Sequence, residues 1–241
     1  VCVAACADLF RGDGELLASP TGLIPTLGAR LARSTTEPDL LLSDGEAYLL
    51  ADLPASGEPA STVEGWLPYR RVFDVVAHGR RHVVMGANQL DRYGNQNISC
   101  IGPHRQPNRQ LLGFRGAPGN TVNHKTSYWV PRHGARVFVD AVHVVSGVGY
   151  DNAARHPSAG RFHALHRVVT NLAVLDFDTP EHTMRLVSTH PGVTVEEVRE
   201  NTGFPLAGSE VGVTRRPTEE ELCLLRTVLD PRTLRDKEVP G

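Results

Sequence analysis

The sequence predicts an α/β fold, an open layered sheet with flanking helices formed as one domain over residues 1–241. Three observations carry that expectation. Hydrophobic residues make up 40% and charged residues 22% of the chain, the composition of a soluble protein with a buried core. Apolar runs of helical spacing and of strand spacing follow one another along it. Gly and Pro are scattered as turn punctuation instead of gathering into a linker, and no repeat or low-complexity tract interrupts the order.

After Ser19 and Pro20, the stripe Leu23, Leu27 and Leu31 predicts a helix with Pro25 in its first turns, and Asp39 to Leu42 reads as a short strand. Over Arg70 to Met85 the alternation about Val72, Val75, Val76, Val83 and Val84 predicts strands joined by a turn at His78-Gly79-Arg80-Arg81. Two further β-rich runs are Ala135 to Val145 and Arg167 to Phe177. Thr194-x-x-Glu197 and Thr218-x-x-Glu221 each place a capping hydroxyl three residues before a carboxylate, which starts a helix. The second helix carries Leu222, Leu225 and Leu229 on one face. It stops at Asp230-Pro231, because the residue before proline is pushed out of the helical region.

The balance of 25 basic against 27 acidic residues leaves a formal net charge of -2, so nucleic acid is not an expected partner. Nearly all the positive charge is arginine, with Lys125 and Lys237 the only lysines. Cys2, Cys6, Cys100 and Cys223 lack zinc-site spacing and are too few for a disulfide framework, which points to a cytoplasmic setting. No basic segment precedes the short apolar run at the start, and no stretch of about 18 apolar residues follows, so no membrane association is expected.

Three segments have the residue types that chemistry needs. Gly86-Ala-Asn-Gln-Leu-Asp-Arg-Tyr-Gly-Asn-Gln-Asn97 concentrates carboxamides, among them Asn88 and Gln89, with glycines and an Asp after a strand. Residue types alone leave both a ligand-approach loop and a decorated hairpin open. Arg115-Gly-Ala-Pro-Gly-Asn-Thr-Val-Asn-His-Lys125 holds two glycines that can turn backbone N–H groups toward an oxyanion, with His124 beside them, but it has neither P-loop nor dinucleotide spacing. Ser43-Asp44-Gly45-Glu46 follows Leu40-Leu41-Leu42, where an α/β sheet presents side chains at its carboxyl edge. It is not a GxSxG elbow, so turn capping stands beside nucleophilic serine. The eleven histidines include His163 and His166 at i,i+3, yet no metal-binding motif accompanies them, and no metal is expected.

Taken in this order, the segments resemble the β subunit of the class I coenzyme A transferase family over nearly the whole chain. The most specific parts are the Gly86–Asn97 segment, the run Arg167-Val-Val-Thr-Asn-Leu-Ala-Val-Leu-Asp-Phe177, and His190-Pro-Gly-Val-Thr-Val-Glu-Glu-Val-Arg-Glu-Asn-Thr-Gly-Phe204. The last resembles a structural signature: a turn, the first capped helix, and Gly203 as its C-terminal cap. The resemblance implies an open α/β fold and an active site shared by an α and a β subunit, with a β-subunit glutamate in a Glu-x-Gly turn attacking the acyl-CoA. Here that turn falls on Ser43-Asp44-Gly45, so Ser43 replaces the attacking carboxylate and Asp44 and Glu46 are displaced from it. Attack needs a carboxylate in contact with the thioester carbon, so ordinary transfer is disfavoured. In the oxyanion loop Gly116-Ala117-Pro118-Gly119-Asn120 the proline removes one N–H donor.

One branch of the family lacks the glutamate, has a Ser-Asp-Gly-Glu turn and opens the last steroid ring of a CoA thioester in bacterial cholesterol catabolism. Likeness to that branch implies a hydrolase that cleaves a carbon–carbon bond of a cyclic β-keto acyl-CoA, active with an α subunit as an α₂β₂ heterotetramer. It implies catalytic Ser43, Asn120 and His124, substrate contacts from Asp44, Glu46, Asn88, Gln89, Gly116, Ala117 and Gly119, and a general base on the α subunit. No bound cofactor is expected, and coenzyme A enters as part of the substrate. The alternative is an acyl-CoA:carboxylate CoA transferase, or a thioesterase, using Asp44 or Glu46.

Overall fold

The computed structural model describes residues 1–45 and 47–239. The chain groups into two compact units, Val1–Met85 with Arg215–Gly241 and Gly86–Thr214. Among the described residues no helix is long and apolar enough to cross a membrane.

The first unit opens with α1 (Cys2–Ala7), β1 (Leu17–Pro20) and α2 (Leu23–Thr35). The predicted stripe holds: Ile24, Leu27 and Leu31 are buried, and the small residues of α1 pack against α2. Gly28 sets how close they come, because a Cβ there would stand 2.6 Å from the Cys6 Cβ. In the predicted strand Asp39 to Leu42, Leu40 and Leu42 are buried, while only Leu41 forms a parallel bridge, to Leu17. The antiparallel pair β2 (Tyr48–Leu50) and β3 (Val63–Trp66) follows.

The next stretch departs from expectation, since α3 (Tyr69–His78) is a helix where strands were predicted. Val72, Val75 and Val76 stand at i, i+3 and i+4, which is helical spacing as well as broken alternation, and extended Pro68 starts the helix. None of its residues is buried, and Trp66, Tyr69 and Phe73 stand out in solvent. The expected strand survives only in β4 (Arg81–Gly86), parallel to β1 with Leu17 opposite Arg81.

The second unit contains two small hairpins, β5 (Gln89–Leu90) with β6 (Gln96–Asn97) and β7 (Cys100–Ile101) with β8 (Arg109–Gln110), followed by α4 (Ala117–Asn123) and β9 (Lys125–Val130). After α5 (Tyr150–Arg155) and α6 (Pro157–Gly160) come β10 (Ala164–Thr170), β11 (Ala173–Asp176), β12 (Arg185–Thr189), α7 (Val195–Glu200) and β13 (Gly212–Val213). Its strands lie in the order β9-β10-β11-β12-β13, parallel at both ends and antiparallel between. Strand β9 was not anticipated, because Thr126 through Val130 are all buried and no polar face gives the period-two signal. The run Arg167 to Phe177 folds as the β10–β11 hairpin, tightened by the Thr170 hydroxyl, which accepts from the N–H of Leu172 and Ala173.

Ala135 to Val145 is not a strand. The N–H groups of Val137 and Phe138 turn back onto the Gly134 carbonyl, so only a single bridge from Phe138 to Leu90 forms. Gly203 is not the cap of α7, which is capped by Thr194 at its start and ends at Asn201. Instead Gly203 admits the Phe138 carbonyl, which would stand 2.5 Å from a Cβ at that position and accepts its N–H at 2.8 Å. The chain then returns to the first unit with α8 (Glu219–Leu224), started by the predicted box: Thr218 and Glu221 exchange both bonds. A wider π turn carries it through buried Leu225 and Leu229 to its end at Asp230.

Candidate active site

In the first unit, buried Leu42 leads into Ser43, which bridges Leu49 and begins a tight turn. The Asp44 N–H donates to the Tyr48 carbonyl, and the Asp44 Oδ1 accepts from the N–H of Ala47 (2.9 Å) and Tyr48 (3.0 Å). Gly45 takes a left-handed φ of 84° and donates its N–H to the Ser43 Oγ at 3.3 Å. Asp44 is therefore exposed but holds the turn with one oxygen, while Ser43 is half-buried. Within its own unit and among the described residues, no histidine or carboxylate bonds the Ser43 hydroxyl. Glu46, the remaining candidate of this turn, lies outside the described residues.

The candidates Asn88 and Gln89 sit in the second unit on the Gly86–Asn97 hairpin. The Gln89 Oε1 accepts from Asn97 Nδ2 (2.7 Å) and from the His143 N–H (3.1 Å), so this buried carboxamide orders its neighbours. Asn88 is exposed, and its N–H donates to the Asn97 carbonyl. At the hairpin's far end, Asp91 Oδ1 accepts from the N–H of Tyr93 and Asn95, both at 3.0 Å, around Gly94 with φ 81°. Asn95 then donates to Asp91 (2.8 Å) and Asp151 (2.8 Å) and accepts from Gly149 (2.7 Å) and Asn152 (2.9 Å). Burial pushes the Asp91 carboxyl up against the opposing pull of these donors. The Asp91–Asn95 end of the segment thus fits the decorated-hairpin reading.

The glycine-rich segment is the start of α4 and not an open loop. Gly116 is its N-cap, and Pro118 in the first turn carries a φ preset for helix. The N–H of Ala117 bonds the Phe114 carbonyl and that of Asn120 bonds the Gly116 carbonyl, which withdraws both from any oxyanion. Space is what Gly116 contributes: a Cβ there would lie 3.5 Å from the Asn120 Nδ2, so the missing side chain opens room beside that carboxamide. Asn120 is 8% exposed, and His124, just past the helix, 2%. Gly116, Ala117, Gly119, Asn120 and His124 thus share one short element, and Ser43 and Asp44 lie together in the turn of the other unit.

His163 belongs beside α4, although its sequence suggested only a metal pair with His166. Its Nδ1 donates to the Thr121 carbonyl at 2.7 Å, which fixes the tautomer, and burial pushes its pKa down. The Thr121 hydroxyl in turn donates to the Ala117 carbonyl and accepts from the Val148 N–H. No sequence signal marks this contact, which spans 42 positions. His133 and His190 are structural: the first lies between the hydroxyls of Thr170 and Thr202, with burial lowering its pKa to about 4, and the second bonds Thr214 and the Thr170 carbonyl.

The family model for coenzyme A transferase matches residues 73–201, more than half of the chain. The chain belongs to the coenzyme A transferase family. A member in Rhodococcus jostii (strain RHA1), the cholesterol ring-cleaving hydrolase IpdB subunit, is 63% identical over 239 residues, which cover 99% of this chain and 94% of that one. The IpdB subunit of Mycobacterium tuberculosis (strain ATCC 25618 / H37Rv) is 56% identical over 242 residues, covering 99% and 97%. The crystal structure of Rhodococcus jostii RHA1 IpdAB superposes with a TM-score of 0.95 at 62% identity, covering 100% of this chain and 97% of that one. The family and the α/β fold expected from the sequence are both met.

Proposed function

We propose that this chain is the β-type subunit of a hydrolase that opens the last steroid ring of a cyclic β-keto acyl-CoA during cholesterol breakdown, working with an α subunit in an α₂β₂ assembly. The observation that carries the reading is the full-length likeness, at 63% identity, to a cholesterol ring-cleaving subunit. The Ser43 turn supports it, since it has serine where a transferase needs its attacking carboxylate. In the reaction, water adds to the ring ketone and the adjacent carbon–carbon bond breaks. The electron pair leaves as an enolate held by the thioester carbonyl, and a proton then quenches it.

The residues on these elements suit binding and charge stabilisation better than proton abstraction. Asp44 holds its own turn, and Asp91 is closed inside the hairpin network. The general base is therefore assigned to the α subunit, with the Asn120 carboxamide and the Ser43 hydroxyl polarising oxygens that gain negative charge and His124 lining the site. Asp44, Glu46, Asn88, Gly116, Ala117 and Gly119 are assigned to substrate contact, and Gln89 to shaping the hairpin beneath it. The exposed aromatic side chains Trp66, Tyr69 and Phe73 are in keeping with a chain that works in an assembly.

The test is the reconstituted two-subunit complex given a cyclic β-keto acyl-CoA in ¹⁸O water. A ring-opened product that keeps coenzyme A and gains one labelled oxygen is expected; free coenzyme A with an intact ring, or coenzyme A moved to an added carboxylate, would overturn the reading. In the same assay Asn120→Ala should lower kcat roughly 100-fold, the cost of one oxyanion donor, and Ser43→Ala about 10-fold. Unchanged turnover in both would refute these roles.

A further inference from the structure

The sheet of the second unit delivers a histidine without an assigned role, His163, to the end of α4. Strand β9 leaves that helix with only His124 between them, and the parallel pairing of β10 with β9 sets Ala164 opposite Lys125. The residue before β10 is thereby brought to the last turn of α4. There the Thr121 carbonyl, among the final carbonyls that a helix leaves without a partner of its own, accepts from His163 Nδ1 at 2.7 Å. The ring is set from its other side by Tyr150, which meets it edge-on at 4.8 Å and donates its O–H to the Leu165 carbonyl at 2.9 Å. Tyr150 is itself stacked on the His182 ring at 4.5 Å. The His163 Nε2 is buried and, among the described residues, has no hydrogen-bond partner. His133 and His190, by contrast, bond through both ring nitrogens.

The helix that receives this bond has little of its own to hold it in place. It is seven residues long, under two turns, its N-cap Gly116 supplies no side-chain cap, and Gly119 weakens its interior. Its placement comes from outside. The Val148 N–H donates to the Thr121 hydroxyl at 2.9 Å, the Thr126 hydroxyl donates to the Asn120 carbonyl at 3.3 Å, and the His163 bond is the shortest of the three. A side chain that only filled space would not keep a buried nitrogen without a partner, a penalty that the Nδ1 bond has to outweigh. We infer that His163 is a positioning residue: through the Thr121 carbonyl it fixes α4, and with it the neighbouring Asn120 carboxamide, where negative charge develops. This rests on the assignment of Asn120 to charge stabilisation. Without the Nδ1–H the Thr121 carbonyl is stranded and the end of the helix shifts, and a small displacement of an oxyanion donor slows the chemical step more than it weakens binding.

The test compares His163→Ala, His163→Asn and His163→Gln in the two-subunit complex, each alone and together with Asn120→Ala, on a cyclic β-keto acyl-CoA. An asparagine amide stands close to the place of Nδ1, whereas a glutamine amide reaches the place of Nε2. The alanine and glutamine variants should lower kcat roughly 10- to 30-fold with KM changed less than about 2-fold, and the asparagine variant should stay within about 3-fold of the wild type. In the Asn120→Ala background the same changes should lower kcat less than about 2-fold, because the group being positioned is gone. Hydrogen exchange read by mass spectrometry needs no turnover: the amides of residues 120–124 should exchange roughly 10-fold faster in the alanine and glutamine complexes and at the wild-type rate in the asparagine complex. If the alanine variant does not assemble, the asparagine and glutamine pair, both near the wild-type volume, carries the comparison. Full-sized losses on top of Asn120→Ala would overturn the inference, and so would an asparagine variant no better than the glutamine one. Should the wild-type complex open no ring, the ring-opening reading fails and exchange alone decides: faster exchange in the glutamine variant upholds the grip of His163 on α4, and unchanged exchange overturns it.

Discussion

Two turns in this protein share one local design. Around Gly45 and around Gly94 an aspartate accepts two backbone N–H groups with a single oxygen, and the glycine takes nearly the same left-handed φ, 84° and 81°. The Asp44 turn stands in solvent, while the Asp91 turn is buried under a network centred on Asn95, which donates to Asp91 and Asp151 and accepts from Gly149 and Asn152. Equal local chemistry therefore serves opposite ends. Where the carboxylate is enclosed it is part of the scaffold, and where it is open it shapes a turn that faces solvent.

Three substitutions sharpen this contrast. Asn95→Ala removes the centre of the buried network and strands the Asp91 carboxylate and the Gly149 N–H, so denaturant melts should show a loss of about 4 kcal/mol. At Gly94 a Cβ would stand 2.4 Å from the Leu165 Cδ1 and 2.8 Å from the Phe177 ring in addition to the unfavourable φ. Gly94→Ala should cost about 3 kcal/mol by the same measurement. Gly45 has nothing within 4 Å of that position, and Gly45→Ala should cost only the backbone strain, about 1 kcal/mol. Equal losses at the two glycines would erase the distinction drawn here.

The same contrast explains what could be read in the sequence. Features governed by neighbours in the chain were legible: the Leu23-Leu27-Leu31 stripe, both threonine caps, the end of the last helix at Asp230, and the turn at Ser43. Features set by tertiary surroundings were not. Strand β9 has no alternation because both faces are covered, and the apolar run Val137-Phe138-Val139 builds no ladder because the Gly134 carbonyl captures the amides of Val137 and Phe138. Tyr69–His78 was misread because three valines satisfy a helical period and a loose strand pattern equally well. Among the candidate residues, sequence grouped Gly116 to His124 correctly but gave them an open loop where Pro118 starts a helix, and nothing local joined His163 to Thr121. The glutamine of the conspicuous carboxamide run turned out to face inward, since a polar side chain and its buried partner look alike until the partner is known.

The crossing of α1 and α2 has an evolutionary consequence. With no room for a Cβ at Gly28 beside Cys6, the two positions share a single allotment of volume. Neither residue can enlarge alone without prising the helices apart, so a lineage that gains bulk at position 28 must first shed it at position 6. Descent along this chain should therefore record the pair as one inherited character, changing together or staying fixed.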